Sequence, residues 1–305
     1  MFNPNSPQAR AIADLFFWSM VIGGLIFVLV TGLVLYAAWR YRGRPGDGEP
    51  YQNPGNRKLE IAWTIAPTLL LAVLFIFTLS GMRTIDPPPG DQQPDVVVTG
   101  YSWWWRVDYP KAGFTTANEI HIPVGQQVLF QLKAGDVIHS FWVPELGPKK
   151  DMIPGHPGNT VWLAADKPGV YQGACAEYCG AEHAWMRIRV IAHPQAEFDA
   201  WQQQQAAAAA PASGELARGA ELFQQSTCVN CHAIRGTNAN AQAGPDLTHI
   251  ASRETLGAGV ITNTPENLGQ WILNPHEIKP GVQMPGYNYS TAELRALVAY
   301  LGSLK

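Results

Sequence analysis

Residues 175–186 read CAEYCGAEHAWM, and what this run holds decides the fold of the middle of the chain. Cys175 and Cys179 are followed by His183 and Met186, so soft sulfur from thiolate and thioether stands beside an imidazole. Taken alone, the run admits a structural zinc, a disulfide or a copper centre. Structural zinc draws on cysteine and histidine, so with His139 as the fourth ligand Met186 would still be idle. Copper uses the whole set, because thiolate and thioether ligands select it. Two thiolates from one loop can bridge two copper ions. His139 and His183 would cap one ion each, with Met186 and a loop carbonyl as weaker ligands.

Working outward, the compartment bears on the disulfide option. Residues 15–39 and 61–81 are two uncharged, strongly apolar runs, each long enough to cross a bilayer as helix. The first is too long for a signal-peptide core and lacks a clear cleavage site. Pro67 is expected in the first two turns of the second helix, where proline is best tolerated. Between the runs lie Arg40, Arg42, Arg44, Arg57 and Lys58, whereas the outer flanks carry Arg10 and Arg83. The positive-inside rule puts that loop in the cytoplasm and both termini on the other side. Two buried helices of a soluble protein are the plainer reading, and the charge asymmetry disfavours it.

An exported location favours disulfides, but the four cysteines fall as C-x-x-x-C and C-x-x-C-H, which are ligand and attachment spacings. The net charge of −3 gives no reason to expect nucleic acid as a partner.

Residues 95–192 change to short runs rich in valine, isoleucine and aromatics, such as DVVVTGY, NEIHIPVG and MRIRVIA, punctuated by glycine and proline. This spacing predicts an all-β sandwich or barrel. Residues 194–205 read as helix, and QQQQAAAAAPASG at 202–214 is low-complexity. As a flexible tether of about twelve residues it would span roughly 20 Å. Residues 215–305 are helical by pattern, and Ser290 with Glu293 predicts a capping box on the last helix. The expected organisation is a transmembrane hairpin at 1–90, a β domain at 91–194, a linker at 195–214 and a helical domain at 215–305.

Cys228-Val229-Asn230-Cys231-His232 is a c-type haem attachment signature. Its thiols add across the haem vinyl groups and His232 ligates the iron from one face. Met284, in GVQMPGY before the last helix, is the expected second axial ligand, and thioether ligation raises the potential. His249 and His276 are the rivals, otherwise solvated loop residues. Pro245 of GPDL is placed to accept the ring N–H of His232. The domain looks like a small class I cytochrome c.

These stretches, together with LEIAWTIAP, GYSWWWRVDYP and HSFWVPEL, resemble subunit II of a cytochrome c oxidase of the variety with a fused cytochrome c domain, the caa-type haem–copper oxidases. The resemblance covers nearly the whole chain. It implies a cupredoxin-like barrel for the β domain and a dinuclear copper centre, CuA. The ligands implied are His139, Cys175, Glu177 through its backbone carbonyl, Cys179, His183 and Met186. The Glu177 side chain is implied to reach a magnesium ion shared with subunit I. Trp103, first of the WWW run, matches the family's aromatic residue where electrons arrive from cytochrome c. Trp104 and Trp105 read as a structural aromatic belt, and Trp103 itself has that plainer reading. Glu60, otherwise an interfacial carboxylate, stands where the family places the mouth of a proton pathway.

The function implied is electron input to a terminal oxidase. An external donor, such as cytochrome c or a quinol–cytochrome c oxidoreductase complex, reduces haem c. CuA and then the haem of subunit I follow, where oxygen is reduced to water and protons are pumped. This chain would carry no bond-making chemistry. The implied surroundings are the bacterial inner membrane, its lipid, and further oxidase subunits, with both termini periplasmic. A mobile linker would hold the two domains at a millimolar effective concentration. The alternatives are the electron-input subunit of a CuA-type nitric oxide reductase, and a membrane-anchored copper-delivery or redox protein. His121, His156 and His193 occupy no ligand position, and Asp136 is expected to orient the His139 loop or face an interface.

Overall fold

The computed structural model describes residues 3–49, 51–86 and 92–305. It divides into one unit of residues 10–85 and a second formed by the chain up to Ala9 and from Asp86 onward. The first unit carries most of α1 (Pro7–Arg40) and all of α2 (Arg57–Ile85). Their most apolar windows have mean hydropathies of 2.5 and 2.2, and none of either window is buried. A helix apolar all round with no protein covering it suits lipid. The few hydroxyls fold back on their own helix: Ser19 donates to the Leu15 carbonyl at 2.7 Å, Thr64 to Glu60 at 2.8 Å and Thr68 to Thr64 at 2.7 Å. Helix α2 begins at Arg57, before the uncharged run, so Pro67 lies deeper than its first two turns. Proline has no N–H for the Trp63 carbonyl, a loss that membrane helices tolerate.

In the second unit, Ser6 caps the start of α1. Its hydroxyl accepts from the Ala9 N–H at 2.9 Å and donates to the Leu146 carbonyl at 2.7 Å, with Pro7 at the first helical position. Gln8 Nε2 donates to the Trp162 carbonyl at 2.9 Å. The chain's first residues are therefore fastened to the β domain.

That domain is two five-stranded sheets. One has β1 (Val96–Tyr101), β2 (Trp104–Tyr109), β3 (Phe114–Ala117), β5 (Val128–Ala134) and β8 (Asn159–Leu163), in the order β3-β2-β1-β5-β8. The other has β4 (Glu119–Pro123), β6 (His139–Trp142), β7 (Lys150–Met152), β9 (Gly169–Cys175) and β10 (Arg187–His193), in the order β4-β10-β9-β6-β7. Val96, Val98, Val107, Phe130, Leu132, Phe141, Ile188 and Val190 alternate inward and form one core between the sheets. The cupredoxin-like expectation agrees with this layering. β6 pairs with β9 so that Phe141 faces Cys175, which brings the His139 strand beside the cysteine loop.

The helix expected over 194–205 is present, and the low-complexity residues 207–213 after it carry no helix or strand. Residues Gln195–Ala206 form α3, and its Trp201 stacks on His121 at 4.0 Å between ring centroids and meets Tyr109 edge-on at 5.3 Å. His121 in turn stacks on His193, with Nδ1 2.7 Å from Nε2. Burial holds His121 well below the ordinary histidine range, and the charges of His193 and Arg189 act in the same direction. After α3, Ala209 donates to the Arg235 carbonyl at 2.9 Å, while the Arg235 guanidinium donates to the carbonyls of Ala206 and Gln205. The segment is thus tied to the C-terminal domain at Gln205, Ala206 and Ala209.

The C-terminal domain packs α4 (Leu216–Gln225), α5 (Pro265–Leu273), α6 (Pro275–Ile278) and α7 (Thr291–Ser303), with a small hairpin of β11 (Thr255–Leu256) and β12 (Ile261–Thr262). Phe223, Leu268, Ile272, Leu297, Tyr300 and Leu301 make its core. The Ser290–Glu293 capping box is present: Ser290 Oγ accepts from the Glu293 N–H at 3.3 Å, and Glu293 accepts from the Ser290 N–H at 2.9 Å.

Candidate functional site

The residues singled out around the CAEYCGAEHAWM run converge. The sulfurs of Cys175 and Cys179 are 3.8 Å apart. That is far beyond a disulfide bond of about 2.05 Å, yet two metal–thiolate bonds of about 2.3 Å each reach across it. His139 Nδ1 lies 3.9 Å from Cys175 Sγ, His183 Nδ1 3.6 Å from Cys179 Sγ, and Met186 Sδ 3.8 Å from Cys179 Sγ. The Glu177 carbonyl oxygen is 3.2 Å from Cys175 Sγ. His139 and the two thiols lie within 4.8 Å of one another, and His183, Met186 and the Glu177 carbonyl each lie against one of the two sulfurs, a soft donor set that fits copper. The Glu177 side chain points elsewhere: its carboxylate lies 3.6 Å from Lys149 Nζ and is nearly half exposed.

The local backbone explains the convergence. Gly100 on β1 has no Cβ because one there would stand 2.8 Å from His139 Cδ2. Gly180, at φ +113°, lets the cysteine loop approach the Trp103 ring, whose nearest atom would be 3.1 Å from a Cβ. Asp136 holds the far side of the His139 ring, Oδ1 to Nε2 at 2.8 Å, and its other oxygen accepts from the Ser102 N–H at 2.7 Å. The orienting role expected of Asp136 is what this geometry provides. Burial opposes charge on His139, but hydrogen bonds to Cys175 and Asp136 outweigh it and raise its affinity for a proton. Of the thiols, Cys175 ionises first. The hydrogen bond from Cys179 holds it well below the usual thiol range, and that same bond pushes Cys179 up.

Asp136→Asn keeps the size and removes the charge. Losing such an outer partner of a ligating histidine costs about 10–100-fold in metal affinity, and chelator competition on the purified chain measures it. Unchanged affinity would reduce Asp136 to a loop anchor.

In the C-terminal domain, Cys228, Cys231, His232 and Met284 all line one cavity of about 270 Å³, walled by Leu247, Ile250, Leu268, Ile272, Val282 and Leu301. His232 Nδ1 lies 2.8 Å from the Pro245 carbonyl, as the GPDL motif predicts. That bond leaves Nε2 as the free ring nitrogen, and burial keeps His232 below the ordinary histidine range despite the Pro245 bond. Gly244 is required beside it, since a Cβ would lie 2.8 Å from His232 Cε1. The rivals to Met284 stand elsewhere. His249 Nε2 bonds the Ala207 carbonyl at 2.9 Å, and His276 is exposed on α6; neither lines the cavity. An apolar cavity bearing a paired-cysteine turn, a held imidazole and a thioether fits haem c.

The same cavity is bounded on its other side by Ser102, Trp103 and Trp104 of the β domain. Trp103 Nε1 donates to the Cys179 carbonyl at 3.0 Å, so this one residue borders both sites. Sequence reasoning missed Lys279, which is buried at the junction and donates to the Trp103 carbonyl at 2.8 Å. Burial pushes its ammonium down to about 8, partly offset by Glu182 and Cys179. A lone lysine after a short helix carries no motif that would have marked it. Glu182, buried between the copper-loop residues, was equally invisible.

The family models for cytochrome c oxidase subunit II match residues 1–80 as its transmembrane domain and 113–193 as its periplasmic domain, and the cytochrome c model matches 216–305. A cytochrome c oxidase subunit 2 of Alkalihalophilus pseudofirmus is 42% identical over 99% of this chain and 90% of its own length. The chain belongs to the cytochrome c oxidase subunit II family. A homologue from a Bacillus species is 35% identical over 87% of this chain and 80% of its own. The solved periplasmic domain of subunit II of cytochrome oxidase from Bradyrhizobium japonicum is 31% identical, covers 38% of this chain and 95% of its own, and has a TM-score of 0.36. As a family member with a cytochrome c domain in the caa3 manner, the chain is an electron-input subunit of an oxidoreductase, associates with subunit I, and is a two-pass membrane protein. Copper and haem c are the cofactors that the two domain families suggest.

Proposed function

We propose that the chain takes electrons from an external donor at its C-terminal domain and carries them through covalent haem c and a dinuclear copper centre to subunit I of a proton-pumping oxidase. When bound, the iron and the copper pair each take up and release single electrons. The chain's own residues hold and orient them. Cys228 and Cys231 would attach the haem, and His232 and Met284 would hold its iron. Cys175, Cys179, His139, His183, Met186 and the Glu177 carbonyl would hold the copper.

The observation that carries this reading is the position of Trp103. It walls the haem-domain cavity while its indole N–H bonds the carbonyl of Cys179. The same placement changes the role expected of Trp103. With the C-terminal domain against it, Trp103 serves the internal step, and the external donor meets the C-terminal domain instead.

Fastening of Ser6 and Gln8 to the β domain agrees with an N-terminus on the same, periplasmic, side as that domain. The arginine-rich loop would then be cytoplasmic. Glu60, in the first turn of α2, stays assigned to the proton-pathway mouth. For the magnesium, Glu177 offers one carboxylate already near Lys149, so subunit I would supply the remaining ligands.

Metal and haem analysis of the purified chain should give two coppers and one covalent haem, and the assembled complex should consume oxygen rather than nitric oxide. A single metal, or zinc in place of copper, would overturn the reading.

A further inference from the structure

Lys279 has no place among the ligands, yet its side chain is 1% exposed and all three of its N–H donors are used. They go to the carbonyls of Trp103 at 2.8 Å, Gly257 at 2.9 Å and Trp185 at 3.1 Å. The three acceptors come from three separate segments. Gly257 sits in the β11–β12 turn and borders the haem-domain cavity. Trp103 bonds the Cys179 carbonyl. Trp185 lies between His183 and Met186 on the copper loop.

A lysine kept merely for packing would bury its stem and send its ammonium to water. Here the ammonium is the buried part, which is tolerable only because every donor is matched. An apolar residue of equal length would leave three carbonyls unmet. The junction also holds an Arg189–Glu254 ion pair, Arg253 donating to the Thr116 hydroxyl and Arg106 donating to Gln242, but none of these bonds the carbonyls of Trp103 or Trp185. The Glu119 carboxylate accepts from the Glu254 and Thr255 N–H groups at 3.0 and 2.9 Å, and the Arg187 N–H donates to the Ala258 carbonyl at 3.2 Å.

We propose that Lys279 is a positioning residue that locks the C-terminal domain onto the copper loop in one pose, setting the geometry of the internal electron step. The ammonium ties the cavity wall at Gly257 to the two β-domain segments nearest the copper thiols. The consequence for electron flow rests on the function proposed above; the clamp itself does not.

The test uses the full metal-loaded chain with Lys279→Met, and Lys279→Gln as a variant keeping some donors. Hydrogen exchange at the amides of Glu254, Thr255 and Arg187 reads the junction directly. Loss of a buried charged hydrogen-bond cluster should speed these amides at least about tenfold in Lys279→Met, and less in Lys279→Gln. The β1–β5 ladder and α7 should keep their protection, and the copper and haem spectra should not change. Internal haem-to-copper transfer, followed after rapid reduction of the haem, should slow in the same order.

Unchanged exchange at the three amides overturns the clamp. Equal loss of protection throughout both domains also overturns it, because Lys279 would then be a general folding residue. If the junction opens but the wild-type chain passes no electrons from haem to copper, the clamp stands and the proposed function fails.

Discussion

On the dinuclear copper centre proposed above, Cys175→Ser should abolish the mixed-valence copper signal in electron paramagnetic resonance and leave the haem absorption untouched. The serine hydroxyl is a hard donor that stays protonated at neutral pH, so it lacks the soft, covalent bonding to copper that a thiolate supplies. Cys179 and Cys175 face each other at 3.8 Å, so one loss dismantles the bridge rather than one arm of it. Removing an outer partner of a ligand costs about 10–100-fold, and a bridging ligand must exceed that, so oxidase turnover should fall by more than about 100-fold. The C-terminal domain folds around its own core, which is why its spectrum serves as the internal control. A persisting dinuclear signal would refute the bridging role of Cys175.

Gly219→Ala should cripple the C-terminal domain although it adds a single methyl group. At the α4–α7 crossing a Cβ on Gly219 would lie 2.1 Å from the Ala296 backbone oxygen and 2.6 Å from Tyr300 Cβ. Backbone cannot swing aside as a side-chain tip can, so the two helices must separate. Overpacking of this kind costs about 3 kcal/mol, and it falls on the contact that carries Phe223 and Tyr300 into the core. Thermal unfolding of the full chain, followed at the haem band, measures it. Gly302→Ala is the matched control, since nothing lies within 4 Å of its Cβ. Equal midpoints for the two variants would show that the crossing can relax.

The legible parts of the chain were those where chemistry follows from local spacing. The cysteine spacings, the attachment turn, the Pro245 acceptor and the capping box each sit on a short motif, whereas His139 and Met284 lie far along the chain from the residues they join. Hydrophobic runs and alternating strands likewise declare themselves through period and length. Meeting points of distant segments were not legible. Lys279, Glu119 and Gly219 look ordinary in sequence, and their roles come from carbonyls and carboxylates brought up from far along the chain. The alanine-rich linker shows the same thing: its helix over 194–205 was legible, but not the anchors that Trp201 and Arg235, each outside the alanine tract, give it. Pro67 was misplaced because the helix starts on Arg57 and Lys58, charged residues that a search for apolar runs leaves out.

The arginine of the C-terminal domain that holds the linker has a kinetic consequence. Arg235 closes the last turn of α3 by bonding the carbonyls of Gln205 and Ala206. With α3 packed on the β domain through Trp201 and tied to the C-terminal domain through Arg235, the step between the two domains is a contact within one chain rather than an encounter of two proteins. Salt, which screens encounters between separate proteins, should weaken the delivery of electrons to this chain while leaving their passage within it unaltered.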